Sequence, residues 1–287
     1  MAYINEEGQP VVIPNGEGKN TTPSTVLFDG TSTIVGEEAK NQSIIDPQNF
    51  EQFVKRHMGE RDYLFSTEDG EKYSPEAISA IILAKMKADA EQHLGEPIEG
   101  AVITVPAYFN EAQRKSTMDA GKIAGLNVLA IINEPTAAAL AFGIAKGTEK
   151  EQTIMVYDLG GGTFDVTVLK FDAENITVLG TAGDRKLGGY DFDERIINAV
   201  IEEAAERGLD IKNDLVARQD LQLKAEEAKK TLSVREKANI VLNIGGRPFK
   251  YSLTREEFVD LVEPLLFKTV GSMETACDEA EIEYSDL

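Results

Sequence analysis

Tryptophan is absent from the 287-residue chain, cysteine occurs once, at Cys277, and histidine twice, at His57 and His93. Each scarcity excludes something. A lone cysteine cannot close an internal disulfide, which fits a reducing compartment. Without tryptophan there is no indole platform for stacking. The two histidines lie far apart and lack Cys or His companions at ligand spacing, whereas a zinc site needs roughly three or four convergent ligands. No histidine metal site is therefore expected. Basic residues are also few. Lys and Arg number 29 against 50 Asp and Glu, for a formal charge of −21. Such a surface repels nucleic-acid phosphates and anionic lipid, and no Lys/Arg run reverses it locally, so neither nucleic acid nor membrane is expected as a partner. No apolar run reaches the ~20 residues of a membrane span. The opening Met1-Ala2-Tyr3-Ile4-Asn5-Glu6-Glu7 is polar and acidic, unlike a signal peptide. These features lead to the expectation of a soluble, cytoplasmic protein.

What is present suits a globular chain. The hydrophobic share is 42%, enough for a core, and the length allows one large or two medium domains. Short β-branched or aromatic runs at Val11–Ile13 and Ser24–Phe28 read as strands, separated by turn signals at Asn15–Gly18 and Asp29-Gly30. Ser74, Pro75 and Gly95 supply the cap, first turn and stop of a helix. Ile78, Ile81, Ile82 and Met86 form its apolar face. Ala101–Val105 is predicted to be a buried strand ending at Pro106. Asn110 and Gln113 suggest a capping box for a helix stopping near Gly125. Val128–Ile132 reads as a strand, and Pro135 opens a short Ala-rich helix to about Gly143. This alternation of strands and helices indicates an α/β architecture.

A polar stretch at 147–151 is the candidate boundary between two lobes, 1–147 and 148–287. Beyond it, strands are expected at Thr153–Tyr157, Phe164–Phe171 and Ile176–Thr181, with a turn at Asp172 to Asn175. Three strands so close in sequence suggest a meander. Helices follow at about Asp191–Arg207 and Asp214–Leu232. A hairpin turning at Gly245-Gly246 comes next, and Thr254 with Glu257 forms a second capping box.

The segment with the most chemistry is Asp158-Leu159-Gly160-Gly161-Gly162-Thr163-Phe164-Asp165. Three glycines between two strands exceed what a tight turn requires. Without side chains, the backbone of Gly160, Gly161 and Gly162 can approach a phosphate closely. Asp158 and Asp165 flank this cradle, where two carboxylates can hold a hydrated Mg²⁺. The Thr163 hydroxyl can reach a phosphate oxygen. The plain alternative is a glycine-rich hairpin turn between solvated aspartates. No Gly-Lys-Ser or Gly-Lys-Thr is present, so this is not the Walker pattern. The dinucleotide fingerprint is also excluded, because it opens a helix and does not join two strands.

Three segments together resemble the heat-shock-protein-70 chaperone family, its bacterial DnaK type in particular: Ala101–Asn110, Ile132–Leu140 and Val156–Asp165. The resemblance extends over nearly the whole chain. It implies the actin-like ATPase (ribonuclease H-like) fold, with two lobes around a nucleotide cleft. ATP or ADP with Mg²⁺, and K⁺ as a further ion, are the implied cofactors. Lys55 matches the lysine that orients or activates the attacking water, and Glu134 a carboxylate near metal and water. Asp158 and Asp165 match the cation-holding residues, and Thr163 a hydroxyl close to the γ-phosphate. Gly188-Gly189 resembles a second phosphate-side contact, although the family has an acidic residue where Tyr190 stands. Ala225–Ser233 resembles the adenosine clamp, in which Glu226, Lys229, Lys230 and Ser233 would touch ribose and adenine. Helical spacing puts Glu226, Lys230 and Ser233 near one face. Pro106 and Arg114 match positions that relay nucleotide state to a peptide-binding domain.

The resemblance further implies a J-domain co-chaperone and a nucleotide-exchange factor as partners, and a role in protein folding and the stress response. Against the family's pattern, the chain begins after a first strand and phosphate loop and ends before a C-terminal adenine-side segment and the peptide-binding domain that takes client peptides. Impaired binding and hydrolysis are the corresponding expectation. Other readings are an inactive remnant or misdelimited gene product, a sugar or acetate kinase of the same fold, and an actin-like filament protein.

Overall fold

The computed structural model describes residues 1–146, 151–171 and 175–287. The expected lobe boundary at 147–150 and most of the expected turn at 172–174 lie outside them. Two compact units emerge from the internal contacts. Unit 1 comprises Met1–Val105 and Phe109–Ile132, and unit 2 comprises Pro106–Tyr108 and Asn133–Leu287.

Unit 1 is built from small sheets and helices. Strand β1 (Ala2–Ile4) pairs antiparallel with β2 (Pro10–Val12). Strand β3 (Thr25–Asp29) lies between β4 (Ser32–Val35) and, beyond a short helix α1 (Glu37–Gln42), β5 (Phe50–Gln52). A 3-10 helix at Val54–His57 precedes a short pair, β6 (Phe65–Ser66) and β7 (Lys72–Tyr73). Helix α2 (Pro75–Leu94) starts where its sequence says it should: the Ser74 hydroxyl accepts the Ala77 N–H at 3.3 Å, and Gly95 ends it at φ 74°. Only glycine takes that left-handed stop without strain. Ile78 and Ile82 pack with Val26, Phe28, Val35 and Val54 into the unit's core. Strands β8 (Ala101–Val105) and β9 (Val128–Asn133) flank α3 (Glu111–Ile123), whose Asn110–Gln113 capping box is closed by two 3.0 Å hydrogen bonds.

One expectation needs correction. Strand β8 is not buried on both faces. Val105 is 1% exposed but Val102 is 51% exposed, and among the described residues β8 pairs with β9 alone, in a two-stranded sheet. An uninterrupted apolar run does not reveal how many neighbours will cover it.

Unit 2 opens with α4 (Glu134–Lys146). The meander follows, with β10 (Gln152–Leu159), β11 (Phe164–Phe171) and β12 (Ile176–Asp184) antiparallel in that order. Helix α5 (Gly189–Glu206), helix α6 (Leu215–Leu232), strand β13 (Lys237–Ile244) and strand β14 (Arg247–Thr254) form a second layer. Strand β13 alternates exposed and buried residues along its whole length. Its inward Ala238, Ile240, Leu242 and Ile244 meet Ile197 and Val200 of α5 and Leu221 and Leu232 of α6. Gly245 and Gly246 turn the β13–β14 hairpin with φ of 55° and 80°, the two left-handed residues of a two-residue turn. Helix α7 (Arg255–Ala280) returns over the meander, capped by Thr254 and Glu257. There Leu265, Ala276 and Cys277 join Phe164, Val166 and Val168 in a second core cluster.

Gly180 permits that return. A Cβ at this position would lie 2.3 Å from the Ala276 carbonyl oxygen and 2.9 Å from the Ala280 nitrogen, and both are backbone atoms that cannot swing aside. Gly271, inside α7, faces open space. Gly180→Ala is therefore expected to destabilise by about 1–3 kcal/mol through overpacking. Gly271→Ala is expected to stabilise by ~0.5–1 kcal/mol through helix propensity. Denaturant unfolding of the two variants measures both changes.

Candidate functional site

The glycine loop joins β10 to β11. Leu159 opposes Phe164 at its base, and Asp158 opposes Asp165 one pair further on. Directly opposed residues of an antiparallel pair project from one face, so the two carboxylates share a side of the sheet beside the loop. Their environments differ. Asp158 is exposed, whereas Asp165 is 1% exposed and accepts the Ala107 N–H at 3.1 Å. That bond holds the Pro106–Tyr108 segment within unit 2.

Inside the loop, the Gly160 N–H donates to the Thr163 carbonyl at 2.9 Å, closing a four-residue turn. None of its glycines has a positive φ, so backbone strain does not call for them. A Cβ at Gly161 would meet nothing within 4 Å. Neither conformation nor packing requires glycine at 161, and the space beside it is open to a ligand.

The first turn of α5 docks onto this loop. The Gly189 N–H donates to the Gly160 carbonyl at 2.9 Å, and the Tyr190 N–H to the Gly161 carbonyl at 2.8 Å. Gly188 makes the approach possible: a Cβ there would sit 2.7 Å from the Gly162 nitrogen. From α6, the Lys229 ammonium donates to the Gly189 carbonyl at 2.8 Å and pairs with Asp193 at 2.9 Å. Lys230 pairs with Glu226 at 2.7 Å one turn back on α6, and Ser233 is the exposed C-cap of that helix. Unit 2 thus gathers Gly160, Gly161, Gly162, Thr163, Gly188, Gly189 and Lys229 around one backbone seam.

Tyr108 belongs to the same neighbourhood and was not singled out in sequence, although it lies inside the quoted Ala101–Asn110 segment. Its ring packs against Gly183. Burial pushes the Tyr108 hydroxyl well above its ordinary range, and the nearby negative charges of Asp165 and Glu134 push it further. Glu134 is the first residue of α4. Among the described residues no group of three or more His, Cys, Asp or Glu could hold a metal. Two carboxylates on one side of a sheet would leave a bound cation most of its coordination to water and ligand oxygens.

Lys55 and Arg114 lie in unit 1. Arg114, in α3, donates its Nε–H to the Phe109 carbonyl at 2.9 Å. Lys55 sits in the 3-10 helix behind Phe53, whose φ of 63° puts a bulky non-glycine residue in the left-handed region. Such strain persists only where the surroundings enforce it, and no residue pattern announces it. A cavity of about 800 Å³ also lies in unit 1, lined by Tyr3, Ile82, Met86, Val105 and Leu126 among others. Its walls are mainly apolar, Lys55 and Lys87 are among its lining residues, and none of these comes from the glycine loop.

Beside the 3-10 helix, the His57 ring stacks on Tyr63 with centroids 3.7 Å apart, and the Tyr63 hydroxyl donates to Glu51 at 3.1 Å. Burial raises the Glu51 pKa above its ordinary 4.5, more than the Tyr63 bond and the His57 charge lower it. The folded state therefore resists ionising Glu51 while the unfolded chain does not. Stability from this group is fully present below pH 4.5 and is lost as pH rises through the raised value. Glu51→Gln is expected to flatten the pH dependence of the melting temperature above that point and to raise it at pH 7, as thermal melts across pH will measure.

A family model described as Hsp70 protein matches the chain over residues 1–67 and 61–287.

Proposed function

The chain belongs to the Hsp70 family, and on that premise we propose that the seam in unit 2 is the phosphate side of the nucleotide site of a chaperone ATPase. Family membership gives the actin-like ATPase fold, a chaperone ATPase domain and ATP or ADP with Mg²⁺. The observation that carries the finer assignment is Gly161. A Cβ there would meet none of the described residues within 4 Å, and its loop carries a docked helix N-terminus and is flanked by two carboxylates in the sequence.

On this reading each residue has a physical task. The loop backbone at Gly161 and Gly162 and the Thr163 hydroxyl receive phosphate oxygens, while Gly160, its N–H given to the Thr163 carbonyl, closes the turn that presents them. Asp158 and Asp165 hold the hydrated cation, which when bound neutralises phosphate charge. A K⁺ beside the Mg²⁺ would use the same pair. Asp165 is fixed in advance by the Ala107 N–H, so little reorganisation is needed when the ligand arrives. The family resemblance gives Glu134 the task of orienting water and Lys55 that of activating it. Glu226, Lys229 and Lys230 of α6 and its C-cap Ser233 face the adenosine. Pro106, next to the residue that binds Asp165, and Arg114 carry the state of the site onward. J-domain and nucleotide-exchange partners follow from the same proposal, and a cytoplasmic setting suits it. Among the described residues no helix is long and apolar enough to cross a membrane.

The test is thermal. A ligand that binds only the folded state stabilises it by about 2.7 kcal/mol at a hundredfold excess over Kd. Mg-ADP is expected to raise the melting temperature of the purified chain. Asp158→Asn and Gly161→Val are expected to abolish that rise while leaving the ligand-free melt close to wild type, since Asp158 is exposed and a Cβ at 161 meets no neighbour. An undiminished rise in both variants would put the nucleotide elsewhere.

A further inference from the structure

We infer that Arg255 is a positioning residue for the nucleoside side of the site: from the start of α7 it caps the C-terminus of α6 and holds Ser233 where adenosine would meet it. The Arg255 Nε–H donates to the Leu232 carbonyl at 2.7 Å, and its Nη2 donates to the Arg235 carbonyl at 3.0 Å. Its Nη1 pairs with the Glu236 carboxylate at 2.6 Å. Its backbone N–H donates to the Glu236 carbonyl at 2.9 Å. Leu232 is the last residue of α6, so the peptide held by Nε is the one that leads into Ser233.

Helix α6 lacks the stop that other helices of the chain carry. Helices α2, α3 and α5 are closely followed by left-handed glycines, Gly95, Gly125 and Gly208, with φ of 74°, 74° and 72°. Such a residue turns the chain back onto the last carbonyls. After α6 stand Ser233, Val234, Arg235 and Glu236, none of them glycine and none left-handed. The Ser233 and Val234 N–H groups serve the Lys230 and Thr231 carbonyls at 3.2 and 3.1 Å. The Leu232 carbonyl, one of the acceptors a helix end leaves over, is served from α7. Charge points the same way. A cation is disfavoured at a helix N-terminus and favoured at a C-terminus, and Arg255 begins α7 but delivers its guanidinium to the end of α6. The ion pair with Glu236 adds little, since the two side chains are 39% and 82% exposed. What the planar fork supplies is direction, because it holds two carbonyls of the α6 exit at once. Lys229 and Lys230 lie in the same last turn, so the end that Arg255 fixes carries three of the four residues assigned to adenosine.

The ligand part of this inference rests on the proposed nucleotide site, but the capping part does not, and the experiment separates them. Amide exchange without ligand, and Kd for adenosine, Mg-pyrophosphate and Mg-ADP, are measured for Arg255→Met, Arg255→Lys and Glu236→Gln. In Arg255→Met, exchange at Ser233, Val234 and Arg235 is expected to be faster by about fivefold or more, with the β11 amides unchanged within about twofold. Affinity for adenosine and Mg-ADP is expected to fall by about fivefold or more, while that for Mg-pyrophosphate, which has no base, stays within about twofold. Arg255→Lys keeps the charge without the fork and is expected to behave like Arg255→Met. Glu236→Gln leaves both carbonyl bonds in place and is expected to behave like wild type. Unchanged exchange at Ser233, Val234 and Arg235 in Arg255→Met overturns the inference. So does faster exchange with adenosine affinity kept, which marks a cap without a binding role, and so does an equal loss for adenosine and Mg-pyrophosphate, which marks general loosening. Wild-type behaviour of Arg255→Lys overturns it as well, since charge alone would then be acting. If the wild-type chain binds none of the three ligands, the nucleotide assignment fails, the ligand part falls with it, and exchange alone decides the capping role. Should Arg255→Met fail to fold, Arg255→Lys carries the same comparison.

Discussion

Unit 2 depends on one contact between two stretches of backbone. The first turn of α5 gives its Gly189 and Tyr190 N–H groups to the carbonyls of Gly160 and Gly161, and the absent side chain of Gly188 lets the two chains meet. Helix N-termini leave donors that need partners, and here the loop supplies them. This contact also settles the direction in which α5 leaves the meander. Its Ile197 and Val200 then reach the layer formed by α6, β13 and β14. Loop, helix and second layer therefore share one origin.

The charge balance fits the same picture. A chain with a formal charge of −21 is a poor host for a polyphosphate unless charge is managed locally. Near the loop stand three carboxylates, Asp158, Asp165 and Glu134, and the Lys229 ammonium. On the proposed reading, positive charge comes from the cation and from the partial charges of backbone N–H groups. The acidity of the site is then a requirement for binding a metal with the nucleotide and is no obstacle.

Much of this was legible in the residues. Helix ends were clearest, because Ser74, Asn110 and Thr254 each carry their own hydrogen-bond acceptor to the helix start, and Gly95 its own stop. The meander and the Gly245-Gly246 hairpin were equally plain. Short strands such as β6 and β7, two residues each, leave no periodicity to read. The glycine loop announced itself by composition, but the reason for Gly188 did not, since only the folded chain shows which backbone would collide. Lys229 looked like one of several charges on a helix surface, and its partner Asp193 lies 36 positions earlier in the sequence. Partners brought together by tertiary packing have no local signature, and the left-handed Phe53 has none for the same reason.

Cys277 has a consequence of its own. It lies on the buried face of α7, near the helix end, at 5% exposure, in the cluster with Phe164 and Val166, and burial raises its thiol pKa. The thiolate is the reactive form, so a labelling reagent can reach it only when α7 lifts from the meander. With no second thiol in the chain, the modification rate is a clock for one event. It counts how often the lid over β11 and β12 opens, against a background that no other residue contributes to.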